Sequence, residues 1–190
     1  MLNFIRGRLA RVTLDFITFV ACFTVFDMAG SSKTNAARLL DKARIGYELV
    51  SYRVDPDDLA AGHVAAELGQ DIRQVFKTLV LRGDRTGLFV CVIPGGDEVD
   101  LKKAAKASGN KKADLIPLKE LLPATGYIRG GCSPVGMRKA LPTYFHSTCL
   151  DFPLIFVSAG ARGLQLKIAP ADLVGFTHGS VADITTSTNP

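Results

Sequence analysis

A single lysine inside an otherwise apolar run, Val75-Phe76-Lys77-Thr78-Leu79-Val80-Leu81, constrains this chain more than any other feature. Strand side chains alternate between faces, so Val75, Lys77, Leu79 and Leu81 share one face and Phe76, Thr78 and Val80 the other. Both faces are apolar, which predicts a central strand over 75–82, buried on both sides. An ammonium there must reach an edge or meet an anion, because an unpaired buried charge is costly. The turn Gly83-Asp84-Arg85-Thr86-Gly87 makes this strand one arm of a hairpin with Leu88–Ile93. Two glycine-rich turns follow, Gly130-Gly131-Cys132-Ser133-Pro134 and Ser158-Ala159-Gly160-Ala161-Arg162-Gly163. Their backbone N–H groups can approach the ammonium, and together the three segments predict a pocket for an anionic or carbonyl-bearing ligand.

Short elements surround the hairpin. Thr34 or Ser32 can cap a helix with apolar positions Ala36, Leu39, Leu40 and Ala43, and Tyr47–Val54 reads as a strand closed by Asp55-Pro56. A second helix spans about Ala60–Leu68 and stops at Gly69. Asp100 caps a basic helix, Leu101–Ser108, and Pro117–Leu122 is another short one. Strands are predicted at Thr143–His146, Leu154–Ser158 and Leu164–Ile168, and Pro170 opens a last helix. Helices and strands mix without strict βαβ alternation, which predicts an α+β fold with a mixed, strongly curved sheet.

A chain of 190 residues, 47% hydrophobic and 22% charged, can bury a substantial core as one domain. The net charge of +5 is compatible with a nucleic-acid partner without establishing one. Cys22, Cys91, Cys132 and Cys149 form no C-x-x-C pair, which argues against a disulfide framework or zinc ribbon and fits a reducing cytoplasm. His63, His146 and His178 lack metal-ligand spacing, so neither a metal nor an organic cofactor is expected. Residues 1–30 read as a separate hydrophobic extension, 31–186 as the folded domain and 187–190 as a frayed tail. Arg6, Arg8 and Arg11 precede an apolar stretch that resembles a signal peptide, but Asp15 interrupts it and no A-x-A-like site follows. The clean run Phe16–Phe26, eleven residues, is too short to span a bilayer, so no stable membrane association is expected. An over-extended reading frame with its start at Met28, a membrane-proximal or export segment, and an extra packed helix are the three readings of this extension.

Five collinear segments resemble the YbaK / prolyl-tRNA-synthetase editing-domain family of aminoacyl-tRNA deacylases. They are Val75–Leu79, Asp100–Ala104, Thr125–Pro134, Val157–Gly160 with Arg162-Gly163-Leu164, and Ala182-Asp183-Ile184, covering about Lys33 to Ile184. The free-standing branch that hydrolyses Cys-tRNA(Pro) is the most similar. The resemblance implies a mixed sheet curled into a partial barrel with helices around it. It also implies that Lys77 holds the 3′ end of the tRNA and that Gly130 and Gly131 present backbone amides to the aminoacyl ester. Tyr52, Thr78, Pro134, Ser158, Gly160 and Gln165 are then expected against the substrate. In this branch the substrate's own thiol attacks its ester, giving a cyclic thiolactone, with no protein nucleophile. Two positions depart from the pattern: a pocket aromatic aligns with Ala61 and a pocket aspartate with Gln165. The expected partners are mischarged tRNA and prolyl-tRNA synthetase.

Competing readings remain at several residues. Cys132 lies in the first glycine turn, but no histidine is near in sequence, and a small packed side chain is expected there. Lys102, Lys103, Lys106, Lys111 and Lys112 form either a solvated face or a contact to tRNA phosphates. Asp97, Glu98 and Asp100 read as loop acidity and a helix cap, and His63 and His146 as structural or surface residues. A deacylase for another mischarged tRNA such as Ala-tRNA(Pro), allowed by Ala61 and Gln165, and a non-catalytic tRNA- or synthetase-binding module are the rival functions.

Overall fold

The computed structural model describes residues 33–186. The expectations for the extension at 1–30, the start at Met28, the Ser32 cap, Cys22 and the tail at 187–190 lie outside the described residues.

Helix α1, Asn35–Ala43, begins where the Thr34 hydroxyl accepts the Ala37 N–H, and packs Ala36 and Leu40 inward. Strand β1 (Tyr47–Ser51) ends three residues earlier than expected, and α2 spans Ala61–Leu68 with Gly69 as its left-handed stop. The predicted hairpin forms from β2 (Phe76–Gly83) and β3 (Gly87–Pro94), paired along their whole length. Asp100 accepts the Lys102 and Lys103 N–H groups at the start of α3, Leu101–Ala107. Strand β4 (Ala113–Leu115), helix α4 (Leu118–Thr125), strands β5 (Thr143–His146), β6 (Ile155–Ser158) and β7 (Leu164–Ile168), helix α5 (Pro170–Phe176) and strand β8 (Ser180–Ala182) complete the order.

The described strands fall into two sheets: a three-stranded one in the order β1-β7-β6 and a five-stranded one in the order β4-β2-β3-β5-β8. The larger is mixed, with β3–β5 and β5–β8 parallel and the remaining pairs antiparallel. A parallel bridge between Val75 and Phe156 links the two. The expectation of one mixed sheet therefore resolves into an α+β architecture with two sheets. The three-residue strands β4 and β8 escaped the sequence because three residues carry no readable alternation.

The alternation read along the lysine strand assigns its faces correctly. Phe76 and Val80 enter a core with Val90, Val92, Ile155, Val157, Leu166 and Ile168, whereas Leu79 and Leu81 pack with Phe89, Cys91, Ile93 and the alanines of α3. Burial is incomplete between them, since Lys77, Thr78 and Leu79 are only half-buried. His146 is buried and structural. Its Nδ1 accepts the Ile184 N–H at 3.2 Å, and burial pushes its pKa below the ordinary histidine value.

A polar clamp fixes the far end of the hairpin. The buried Asn110 accepts the Arg85 and Thr86 N–H groups through Oδ1, both at 2.9 Å, and donates to the Thr86 hydroxyl at 2.7 Å. Gly83 allows this approach, because a Cβ there would overlap the Asn110 amide. We predict that Asn110→Ala lowers stability by roughly 1–3 kcal/mol, from the joint loss of these hydrogen bonds at about 0.5–1.5 kcal/mol each. Urea denaturation should show a reduced midpoint with an unaltered slope; an unshifted midpoint would mean that the clamp does not hold the hairpin.

Candidate active site

The site arises because β2 outruns one of its neighbours. Strand β3 pairs with all of it, but β4 pairs only with Leu81–Gly83. The Gly95 N–H donates to the Val75 carbonyl at 2.6 Å, which puts residues 75, 77, 79 and 81 in the hydrogen-bonded pairs with the hairpin partner. The backbone groups of Phe76, Thr78 and Val80 therefore point to the opposite edge, where the Ile116 N–H meets the Val80 carbonyl at 3.1 Å. A cavity of about 620 Å³ opens along this edge, bringing together Tyr52, Lys77, Thr78, Gly130, Ser158 and Gln165.

Lys77 Nζ donates to the Gly95 carbonyl at 3.0 Å. Gly95 must be glycine to bring that carbonyl so near, since a Cβ there would run into the Ala61 Cβ and the Val75 carbonyl. Among the described residues no carboxylate lies within ion-pair distance of Lys77. Burial lowers its pKa from the ordinary lysine value, an effect that Asp97 and Glu98 oppose from further away. An ammonium has three donors. One is used by the protein, so the group retains donor capacity and charge toward the cavity it lines.

The two glycine turns meet, as the sequence suggested. Arg162 Nε of the second donates to the Arg129 carbonyl at the head of the first, at 3.0 Å. Gly130 has φ +82, a conformation that favours glycine, and among the described residues no acceptor meets its N–H. Gly131 differs from expectation: its N–H donates to the Ile128 carbonyl at 3.0 Å and closes the turn, which leaves Gly130, of the two glycines, with the unpaired amide. Pro134 is buried and Gly160 packs against the Tyr127 ring, and neither lines the cavity, nor does Gly131. These three shape the turns. Ser158 lines the cavity while its Oγ accepts the Gly160 N–H at 3.2 Å.

Two side-chain oxygens of residues lining the same cavity lack partners. Thr78 Oγ1 and Gln165 Oε1 are buried with no hydrogen-bond partner, although both residues line the cavity and Gln165 is only 5% exposed. Buried polar atoms without partners are uncommon, and in residues lining a cavity they leave hydrogen-bonding capacity for a ligand or an ordered water.

Cys132 also lines the cavity, but burial pushes its thiol up to about 12, which suits packing rather than nucleophilic attack. Ala61 stands on the wall where the family pattern has an aromatic. Sequence reasoning missed Arg129, Leu115, Leu118 and Leu121, all on the cavity wall. Their signal was weak, because leucines of a short amphipathic helix read as core. Of the basic cluster, Lys103 is taken up structurally by Asp183 and the Thr185 carbonyl, both at 2.9 Å. Among the described residues no group of His, Cys, Asp or Glu could hold a metal, and no helix is long and apolar enough to cross a membrane.

A cavity lined by an ammonium, a residue with an unpaired backbone N–H and two residues with unpartnered side-chain oxygens, without a nucleophile–base pair, suits the binding and polarising of an acyl group. Comparison with known proteins gives this class its family. Residues 56–176 match the model of the aminoacyl-tRNA editing domain. A protein of Enterococcus faecalis assigned as a candidate Cys-tRNA(Pro)/Cys-tRNA(Cys) deacylase, EbsC, is 48% identical over 154 residues, 81% of this chain and 94% of that protein. The uncharacterised protein YwhH of Bacillus subtilis is 27% identical over 62% of this chain and 74% of its own. A crystal structure described as that of a candidate trans-editing enzyme for prolyl tRNA synthetase superposes with TM-score 0.71 at 25% identity, over 82% of this chain and all of that one. The chain belongs to the aminoacyl-tRNA editing domain family and is an aminoacyl-tRNA deacylase.

The state of Lys77 has a measurable consequence for stability. With its pKa lowered in the folded protein, the unfolded chain binds more protons between that lowered pKa and the ordinary 10.5. Stability from this group therefore rises as pH rises through that window. We predict that Lys77→Met melts at or above the wild-type temperature at pH 7, and that its advantage shrinks as pH approaches 10.5. A variant that melts lower at pH 7 would show the ammonium to be a stabilising group.

Proposed function

We propose that this deacylase acts in trans on mischarged Cys-tRNA(Pro), and on Cys-tRNA(Cys) as its relative's name suggests, in cytoplasmic quality control of translation alongside prolyl-tRNA synthetase. The observation that carries the reading is the pairing, in one cavity, of Lys77 and the unpaired Gly130 N–H with the orphaned acceptors Thr78 and Gln165. In this reading Lys77 holds the anionic 3′ terminus of the tRNA and Gly130 polarises the ester carbonyl, while Tyr52 and Ser158 bound the acyl group. The α-amino group supplies the donors that Thr78 Oγ1 and Gln165 Oε1 lack. Gln165 accepts a hydrogen bond where a carboxylate would add charge, so the amino group is recognised by geometry. We read the two sheets, linked at Val75 and Phe156, as the walls of the partial barrel that the resemblance implies.

The proposed chemistry needs no protein nucleophile. The substrate thiol attacks its own ester carbon, the C–S bond forms as the C–O bond to the ribose breaks, and the thiol proton ends on the departing ribose hydroxyl. The products are a thiolactone and free tRNA. Charge develops on the carbonyl oxygen during attack, so a fixed N–H donor acts on the transition state, and such a donor contributes about 3–4 kcal/mol. The attack closes a strained four-membered ring, so the positioning of sulfur against carbon, which spares the cost of a bimolecular encounter, must also offset that strain.

The decisive measurement is deacylation of a panel of aminoacyl-tRNAs. Cys-tRNA(Pro) should be consumed with release of thiolactone, Cys-tRNA(Pro) with an alkylated sulfur should survive, and Ala-tRNA(Pro) should react much more slowly. Lys77→Ala should lose nearly all turnover while remaining folded, and a pure binding module would be indifferent to it. Faster loss of Ala-tRNA(Pro) than of Cys-tRNA(Pro) would transfer the assignment to the alanine-editing alternative that Ala61 permits.

A further inference from the structure

We propose that Gln165 makes the cavity selective for an uncharged group on the α-carbon of its substrate, a specificity that rests on the deacylase reading above. The site then takes an aminoacyl ester with its amine unprotonated, and it takes a 2-hydroxyacyl ester of tRNA as well.

Among the described residues no carboxylate lines the cavity, whereas two cations do, Lys77 half-buried and Arg129 exposed. Asp97 and Glu98 act on Lys77 from beyond the lining residues. The other titratable residues of the wall are Tyr52, a phenol, and Cys132, whose thiol burial pushes up to about 12, so that it supplies no anion. Gln165 stands directly opposite Ser158 in the pairing of β6 with β7, so the two side chains share one sheet face, and both residues line the cavity. The Ser158 Oγ is engaged by the Gly160 N–H, while Gln165 Oε1 is buried and accepts from no group among the described residues. Thr78 Oγ1 is left in the same state.

An ammonium brought into such a cavity gives up water, finds no anion on the wall and adds to the positive charge of Lys77 and Arg129. Desolvation and like charge both disfavour its protonated form. The neutral amine escapes both costs and still offers two N–H donors to an amide or hydroxyl oxygen. Deprotonation is cheap for this group, because α-amino groups titrate at about 7.7–8.0 and an ester carbonyl draws the value lower. A hydroxyl on the same carbon also offers a donor and carries no charge, so Gln165 Oε1 accepts from it equally well. A carboxylate at position 165 would reverse this preference by pairing with the ammonium.

The test uses two stable analogues of the substrate, tRNA(Pro) ending in 3′-amino-3′-deoxyadenosine acylated with serine or with glyceric acid, titrated calorimetrically between pH 6 and 8.5. Both replace the sulfur by oxygen, which removes the thiol as a titrating group, and they differ only in amine against hydroxyl at the α-carbon. Titration of Lys77 acts on both alike, so the ratio of their affinities isolates the amine. Binding of the seryl analogue, relative to the glyceryl one, should fall about tenfold for each pH unit below the amine's own pKa. Gln165→Glu, checked for folding by thermal melting, should flatten that dependence and favour the seryl analogue about tenfold at pH 6.5, the scale by which a charge-assisted hydrogen bond exceeds a neutral one. A ratio that is constant with pH in the wild type, or that favours the seryl analogue toward pH 6, would overturn the proposal whether or not the variant folds. Failure of the glyceryl analogue to bind, or an unchanged ratio in a folded Gln165→Glu, would do the same. Turnover of Cys-tRNA(Pro) by the same wild-type preparation separates the two claims. If turnover fails while the ratio behaves as expected, the cysteine assignment falls and the selectivity for an uncharged group stands; if turnover proceeds while the ratio is constant, the reverse holds.

Discussion

The half-satisfied ammonium of Lys77 sets the terms for the surrounding structure. It sits on a strand flanked by two apolar cores, has the Gly95 carbonyl at 3.0 Å, and lacks a carboxylate at ion-pair distance among the described residues. A group placed this way costs free energy in the empty protein, and its lowered pKa is the signature of that cost. The rest of the fold tolerates it because the hairpin is secured elsewhere, by full-length pairing of β2 with β3 and by the Asn110 clamp at the far end. Small residues complete the arrangement. Only glycine at 95, opposite alanine at 61, lets the backbone come close enough to hold the ammonium in place.

The same logic extends to the unpartnered oxygens of the cavity residues Thr78 and Gln165. Thr78 Oγ1 and Gln165 Oε1 lie on different sheets, one on β2 and the other on β7, and each is buried without a partner. Their cost is borne by the large shared core that the two sheets enclose, which includes Val80, Val92, Val157, Leu166 and Ile168. Donors and acceptors thus belong to residues of one cavity before any ligand arrives. An aminoacyl ester has the complementary polarity, with a carbonyl oxygen and phosphates that seek donors and an amino group that seeks acceptors. Preorganised dipoles of this kind need no rearrangement when charge develops, which is where their catalytic worth lies.

Much of this was legible in the sequence, for identifiable reasons. The two faces of the lysine strand followed from simple alternation, and the helix starts at Thr34 and Asp100 followed from their capping oxygens. The gathering of Lys77, Thr78, Gly130, Ser158, Tyr52 and Gln165 around one cavity matched the motif order. Which amide remains free did not: Gly130 and Gly131 are adjacent and chemically alike, and only the backbone path shows that Gly131 is bonded to Ile128. The division into two sheets was hidden for a similar reason, since partner choice among short strands is a long-range property. The exposure of Leu115, Leu118 and Leu122 was invisible because periodicity marks an apolar face without saying whether anything covers it.

Cys132 shows why a thiol in the cavity wall and a thiol on the substrate are not equivalent. Burial pushes the protein thiol up to about 12, so the reactive thiolate is scarce at pH 7. No histidine lines the cavity to relieve that penalty. A cysteinyl ester brings its own sulfur within reach of the reacting carbon, and the proposed reaction asks the protein only to hold that conformation and to receive the negative charge. A chain that already positions the Gly130 amide and an ammonium gains little from a second nucleophile, and a reactive one would compete with the substrate for the same carbonyl. In the proposed reaction an inert, packed Cys132 therefore leaves the substrate's sulfur as the nucleophile at the carbonyl.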